Sequence, residues 1–135
     1  MRKLLPVVPI LLLAAYAIAL LSCGSSSNKL QSVTITPATA DARNYPNGQV
    51  QFTATGTYSN GRQVKPLTAL WSPGPPWTIQ PFVIVVDNNG LASCGSVPAG
   101  TYQIWAGAPS DPNTPVSSMK QGTPSVSGTA QLTCP

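Results

Sequence analysis

The sequence contains no histidine and no glutamate, and its only acidic residues are Asp41, Asp87 and Asp111. General acid-base chemistry needs titratable side chains held against one another, and no two of these aspartates are close in sequence. Serine and threonine are abundant, but there is no evident base to activate a hydroxyl nucleophile. An enzyme is therefore not expected, and no cofactor is implied. A metal centre is not expected either. Zinc needs a set of Cys, His or carboxylate ligands, and calcium needs six to eight oxygens, of which Asp87-Asn88-Asn89 offers few.

Charge is scarce throughout, at 7% of residues. Beyond Arg2 and Lys3, the residues Lys29, Arg43, Arg62, Lys65 and Lys120 stand against the three aspartates, a scattered net charge of +2. That is too weak for a nucleic-acid footprint. The chain also lacks the composition of long helices: its 15 prolines and 11 glycines suit short strands joined by many turns. At 135 residues, with about 110 left after removal of a leader, the length supports one core and no more.

One long hydrophobic run is present. Arg2 and Lys3 precede an almost uninterrupted apolar stretch from Leu4 to Leu21, which ends in Ser22-Cys23-Gly24-Ser25. A charged start, an apolar middle and a small-residue end make a secretory signal. An uncleaved anchor is the competing reading, because the run approaches the roughly 18 to 20 residues that span a bilayer. Plain secretion is a third. Leu20-Leu21-Ser22-Cys23 resembles the bacterial lipobox, and that resemblance implies cleavage before Cys23 and its modification with diacylglycerol. Residues 1–22 are then a signal peptide, residues 23–29 a lipidated cysteine with a flexible Gly-Ser-Asn tether, and residues 30–135 the folded domain. Gly24 after the cysteine, where enterobacterial sorting rules place Asp for inner-membrane retention, implies the outer membrane of the cell envelope.

Three cysteines are an odd number for an exported protein. With Cys23 lipidated, Cys94 and Cys134 remain, and an oxidising compartment makes one intradomain disulfide the natural pairing. Two buried free thiols are the alternative.

Alternation then predicts strands. Val33 and Ile35 share one face of a first edge strand that Pro37 ends, and Val50, Phe52 and Ala54 share one face of a strand from Gln49 to Tyr58. Ser59-Asn60-Gly61 supplies a turn. Leu67 to Ser72 carries Trp71 into the core, and Pro73-Gly74-Pro75-Pro76 enforces a loop. A buried strand from Phe82 to Val86, a turn at Asp87-Asn88-Asn89-Gly90 and a strand from Leu91 to Cys94 follow. Thr101 to Ala106 turns Tyr102 and Ile104 inward, which leaves Trp105 for solvent or a neighbouring loop. After a polar loop over residues 109–125, Ser127 to Cys134 closes the sheet with Ala130 and Leu132 inward. About seven strands with turns about every ten residues predict an all-β, Greek-key sandwich.

The ordered series Val33-Thr34-Ile35-Thr36-Pro37, Gln51 to Gly61, Trp71-Ser72, Val86-Asp87-Asn88-Asn89-Gly90-Leu91, Ala99-Gly100-Thr101 and Gly128 to Thr133 resembles the bacterial immunoglobulin-like domain, group 2. The resemblance implies an immunoglobulin-like fold in an exported protein suited to adhesion, to carbohydrate or protein binding, or to spacing. It implies no particular ligand. Trp77 is the candidate binding residue: an aromatic among prolines either stacks on a sugar or anchors a protein partner, or folds back to plug an open end of the sandwich.

Overall fold

Alternation of apolar and polar side chains decides which residues pair in the computed structural model, which describes residues 28–79 and 83–135. The strands are Leu30–Thr36 (β1), Thr39–Asp41 (β2), Gln49–Gln51 (β3), Thr53–Tyr58 (β4), Gln63–Val64 (β5), Leu70–Ser72 (β6), Val85–Val86 (β7), Leu91–Ser93 (β8), Gly100–Pro109 (β9) and Ser125–Cys134 (β10). The leader, Cys23 and Phe82 lie outside the described residues.

Two layers result. In one, β1, β4 and β5 pair in that order, and β3, β8 and β7 do likewise; the two groups join because β3 and β4 are consecutive, parted only by Phe52. The other layer has the order β2-β10-β9-β6, and β1 packs across β10 between the layers. A first strand split between the layers, a second beside β8 and β7, and a last strand beside β9 and β6 make an immunoglobulin-like Greek-key sandwich. Merging β1 with β2 and β3 with β4 leaves the seven expected strands plus the two-residue β5.

Several expectations need correction. The first strand ends at Thr36, before Pro37, as expected, but the chain then continues as a further short strand in the other layer. β2 then runs parallel to β10, with Thr39 opposite Gln131 and Asp41 opposite Thr133, and Ala38 O accepts from Gln131 N at 2.9 Å. The last strand is accordingly interior rather than closing. Gln49 to Tyr58 is two strands, because at Phe52, whose N–H makes the last bond of the β8 pairing to Gly90 O at 2.9 Å, the chain passes from β8 to β1 and β5. Among the described residues of the apolar run before Asp87, only Val85 and Val86 pair, and they do so at an edge. One face of that edge meets solvent, so Ile84 is buried while Val83 and Val85 are exposed. Trp105 is buried: its ring occupies the space a side chain on Gly107 would fill, two residues along the same face. Leu30 is buried out of phase with Val33 and Ile35 because a bulge between Leu30 and Ser32 shifts the register.

The core is built mainly from small residues. Phe52, Ile104, Leu132 and Val50 are the largest fully buried side chains, and around them sit eight buried alanines, among them Ala54, Ala92, Ala106 and Ala130. Such a core buries little area per residue, so each large side chain matters. Gly90, at φ +82°, is the point of closest approach: a Cβ there would lie 2.6 Å from Phe52 O and 2.8 Å from the Trp71 ring. The turn that begins at Asp87 therefore seats directly on the core.

At one end of the sandwich Cys94, just beyond β8, is bonded to Cys134 at the end of β10, with Cα atoms 5.7 Å apart. The bond ties one layer to the other and encloses a 40-residue separation, a loop worth about 4 kcal/mol in the chain-entropy model. Phe52→Ala should cost about 3 to 5 kcal/mol in urea melts; a cost below about 1 kcal/mol would mean that the core does not rest on this ring. Reduction should lower the melting temperature by about 15 °C or more. Protein folded under oxidising conditions should have no alkylatable thiol at Cys94 or Cys134 after unfolding without reductant.

Candidate binding surface

No charged residue occurs between Lys65 and Asp87, and the centre of that stretch connects β6 to β7. Pro75 and Pro76 restrict the backbone, and Thr78 N donates to Pro75 O at 3.1 Å, closing a turn that the Thr78 hydroxyl reinforces with a 2.8 Å bond to the same carbonyl. The Ser72 hydroxyl donates to Gly74 O just before it. Trp77 holds the third position of this turn and is 46% exposed, while Ile79 is 100%, Val83 53% and Val85 59% exposed. Trp77 therefore presents its indole outward rather than filling the interior, unlike Trp71 and Trp105, at 8% and 7%.

The surface has a defined place on the sandwich. β6 runs from Leu70 opposite Gly107 to Ser72 opposite Trp105, and β7 begins at Val85 opposite Ser93, so both ends of the connection point toward the disulfide pole. The Val85 side chain lies beside Gly95, which follows Cys94. The chain enters at the other pole. There Leu30 pairs with Tyr58 and its N–H donates to Ser110 O at 2.8 Å, just past the far end of β9. Ten residues of β9 separate the poles by about 30 Å.

The aspartates are occupied locally. Asp87 Oδ1 accepts from Asn89 N and Leu91 N, both at 2.8 Å, as its place in a turn predicts, and Asp111 Oδ1 accepts from Asn113 N at 2.9 Å. Asp41 accepts from Arg43 N and pairs with the Arg43 guanidinium at 2.6 Å. Hydrogen bonding to Arg43 holds the Asp41 carboxyl below its usual range. Among the described residues, no three of His, Cys, Asp and Glu come together around a possible ion.

Of the residues singled out from the sequence, Cys94 and Cys134 are joined, Trp77 stands alone at the surface, and Cys23 lies outside the described residues. The exposure of Val83 and Val85 is not foreseen from the sequence, since an uninterrupted apolar run reads as buried. Asp87 directly after it, placing β7 next to a solvent turn, is the one available signal. No protein-family model matches the chain, and no curated protein matches its sequence. The class defined by fold and surface is thus a small immunoglobulin-like sandwich with an uncharged, aromatic-bearing connection at its disulfide pole.

Because Trp71 and Trp105 are shielded, Trp77 should account for most of the acrylamide-quenchable tryptophan emission. Trp77→Phe should remove that fraction and shift the remaining spectrum to the blue, with a stability change below about 1 kcal/mol. Undiminished quenching in the variant would show that one of the other indoles is open to solvent.

Proposed function

We propose that the chain is a non-enzymatic lipoprotein of the bacterial cell envelope, anchored through Cys23 in the outer membrane. Its group 2 immunoglobulin-like domain displays the Trp77 surface to a carbohydrate or protein partner. The observation that carries this reading is the half-exposed indole on a proline-braced turn, facing the pole opposite the one at which the chain enters from its tether. An acylated Cys23 would hold the Leu30 pole toward the bilayer and turn the Trp77 pole outward. Each buried methylene contributes about 0.8 kcal/mol, so two or three acyl chains anchor durably where one does not. The Cys94–Cys134 bond supports an oxidising compartment. The uncharged surface avoids desolvating ions, and aromatic residues of this kind dominate the energetics of binding sites.

One set of strains tests both halves of the proposal. The full chain, expressed in a bacterium fed labelled palmitate, should take up label, whereas Cys23→Ala should take up none and run as a larger, unprocessed form. Envelope cross-linking should yield a partner or glycan adduct with the wild type that Trp77→Ala loses. An unlabelled wild type overturns the anchor. Identical adducts, or none, from wild type and Trp77→Ala leave the domain as a structural spacer.

A further inference from the structure

A second surface lies on the flank of the sandwich. The second edge of the continuous β3–β4 segment is covered in two pieces: β5 and the Leu67 N–H to Ala54 O bond cover β4, and β8 covers β3. Between them runs a groove of about 690 Å³, within the range of small-molecule sites. Leu67 and Trp71, whose edges reach the surface, form its apolar floor, with the Phe52 ring closed off beneath them. Its rim carries Thr53, Thr68, Lys65, Asn88 and Asn89.

The rim is preset. The Gln51 amide donates to Phe52 O at 2.9 Å and to Asn89 O at 2.8 Å, which fixes the Asn89 backbone against the floor. Asp87 adds its two bonds from the Asn89 and Leu91 N–H groups. The side chains of Thr53, Thr68, Lys65, Asn88 and Asn89, in contrast, make no hydrogen bond or ion pair among the described residues. Lys65 is the one charged residue that lines the groove.

We infer that this groove binds a small polyhydroxylated carboxylate, the chemistry of a uronic acid, with Lys65 on the carboxylate. Two carboxamides and two hydroxyls supply donors and acceptors together, which matches a ring of sugar hydroxyls rather than an acceptor-only phosphate. The apolar floor takes the C–H face of the ring. One ammonium matches one carboxylate, and a hydrogen-bonded charge contributes more than a neutral pair. Trp77 does not line the groove, so this site and the Trp77 surface stand or fall separately.

The test is isothermal titration of the purified full chain in detergent with digalacturonate, its neutral counterpart galactobiose, and acetate. Digalacturonate should bind, galactobiose about tenfold more weakly or worse, and acetate not measurably. Lys65→Gln should reduce digalacturonate to the galactobiose level, Lys65→Arg should retain most of the affinity, and Trp77→Ala should leave it unchanged. Absence of digalacturonate binding overturns the inference, as does equal affinity for the two disaccharides. Unaltered affinity in a folded Lys65→Gln would remove Lys65 from the site. Loss in Trp77→Ala would move the ligand to the other surface.

Discussion

Everything in this sandwich turns on the backbone at Phe52. The strand that contains it pairs with β8 before the ring and with β1 and β5 after it. At the break itself the Phe52 N–H is satisfied by Gly90 O and its carbonyl by the Gln51 side chain. A buried backbone group without a partner costs about as much as a lost hydrogen bond, so the strand can change partners only because these substitutes are in place. The same contact seats Gly90 against Trp71, which brings the β7–β8 turn down onto the core and shapes the flank groove beside it.

Large side chains and charges are both few, and the fold uses them locally. The alanine-rich interior lets the two layers approach closely, and what it lacks in buried area is offset in part by the covalent tie between Cys94 and Cys134. Each aspartate takes up a backbone N–H in its own turn. Among the described residues, Lys65 is set apart from the other unpaired lysines by lining the groove, and Trp77 from the other two indoles by standing half in solvent.

Much of the fold was legible because period-two alternation survives wherever one face is buried and the other wet. Val33 and Ile35, Phe52 and Ala54, and Ala130 and Leu132 all point as their spacing predicts. The turn at Asp87 was legible from Asx chemistry, and Cys94 and Cys134 are joined as expected. What escaped depends on neighbours distant in sequence. Thr39–Asp41 is a strand only because Gln131 to Thr133 lies alongside it. Trp105 is covered because Gly107 leaves its ring a bed, and Val83 and Val85 are wet because β7 has no strand beyond it. The Trp77 surface could be suspected from proline and aromatic placement, but the groove required tertiary proximity between residues near 53, 67 and 88.

The parallel pairing of β2 with β10 has a mechanical consequence. Leu30 and Cys134 sit at opposite poles, so a pull between them draws β2 toward one pole and β10 toward the other. The few hydrogen bonds of this short pairing are then loaded together in shear instead of being peeled open one by one. Past that point the Cys94–Cys134 bond passes tension straight across, so the chain it encloses lies outside the line of force and adds nothing to the length. Only the chain ahead of Cys94 can then be drawn out.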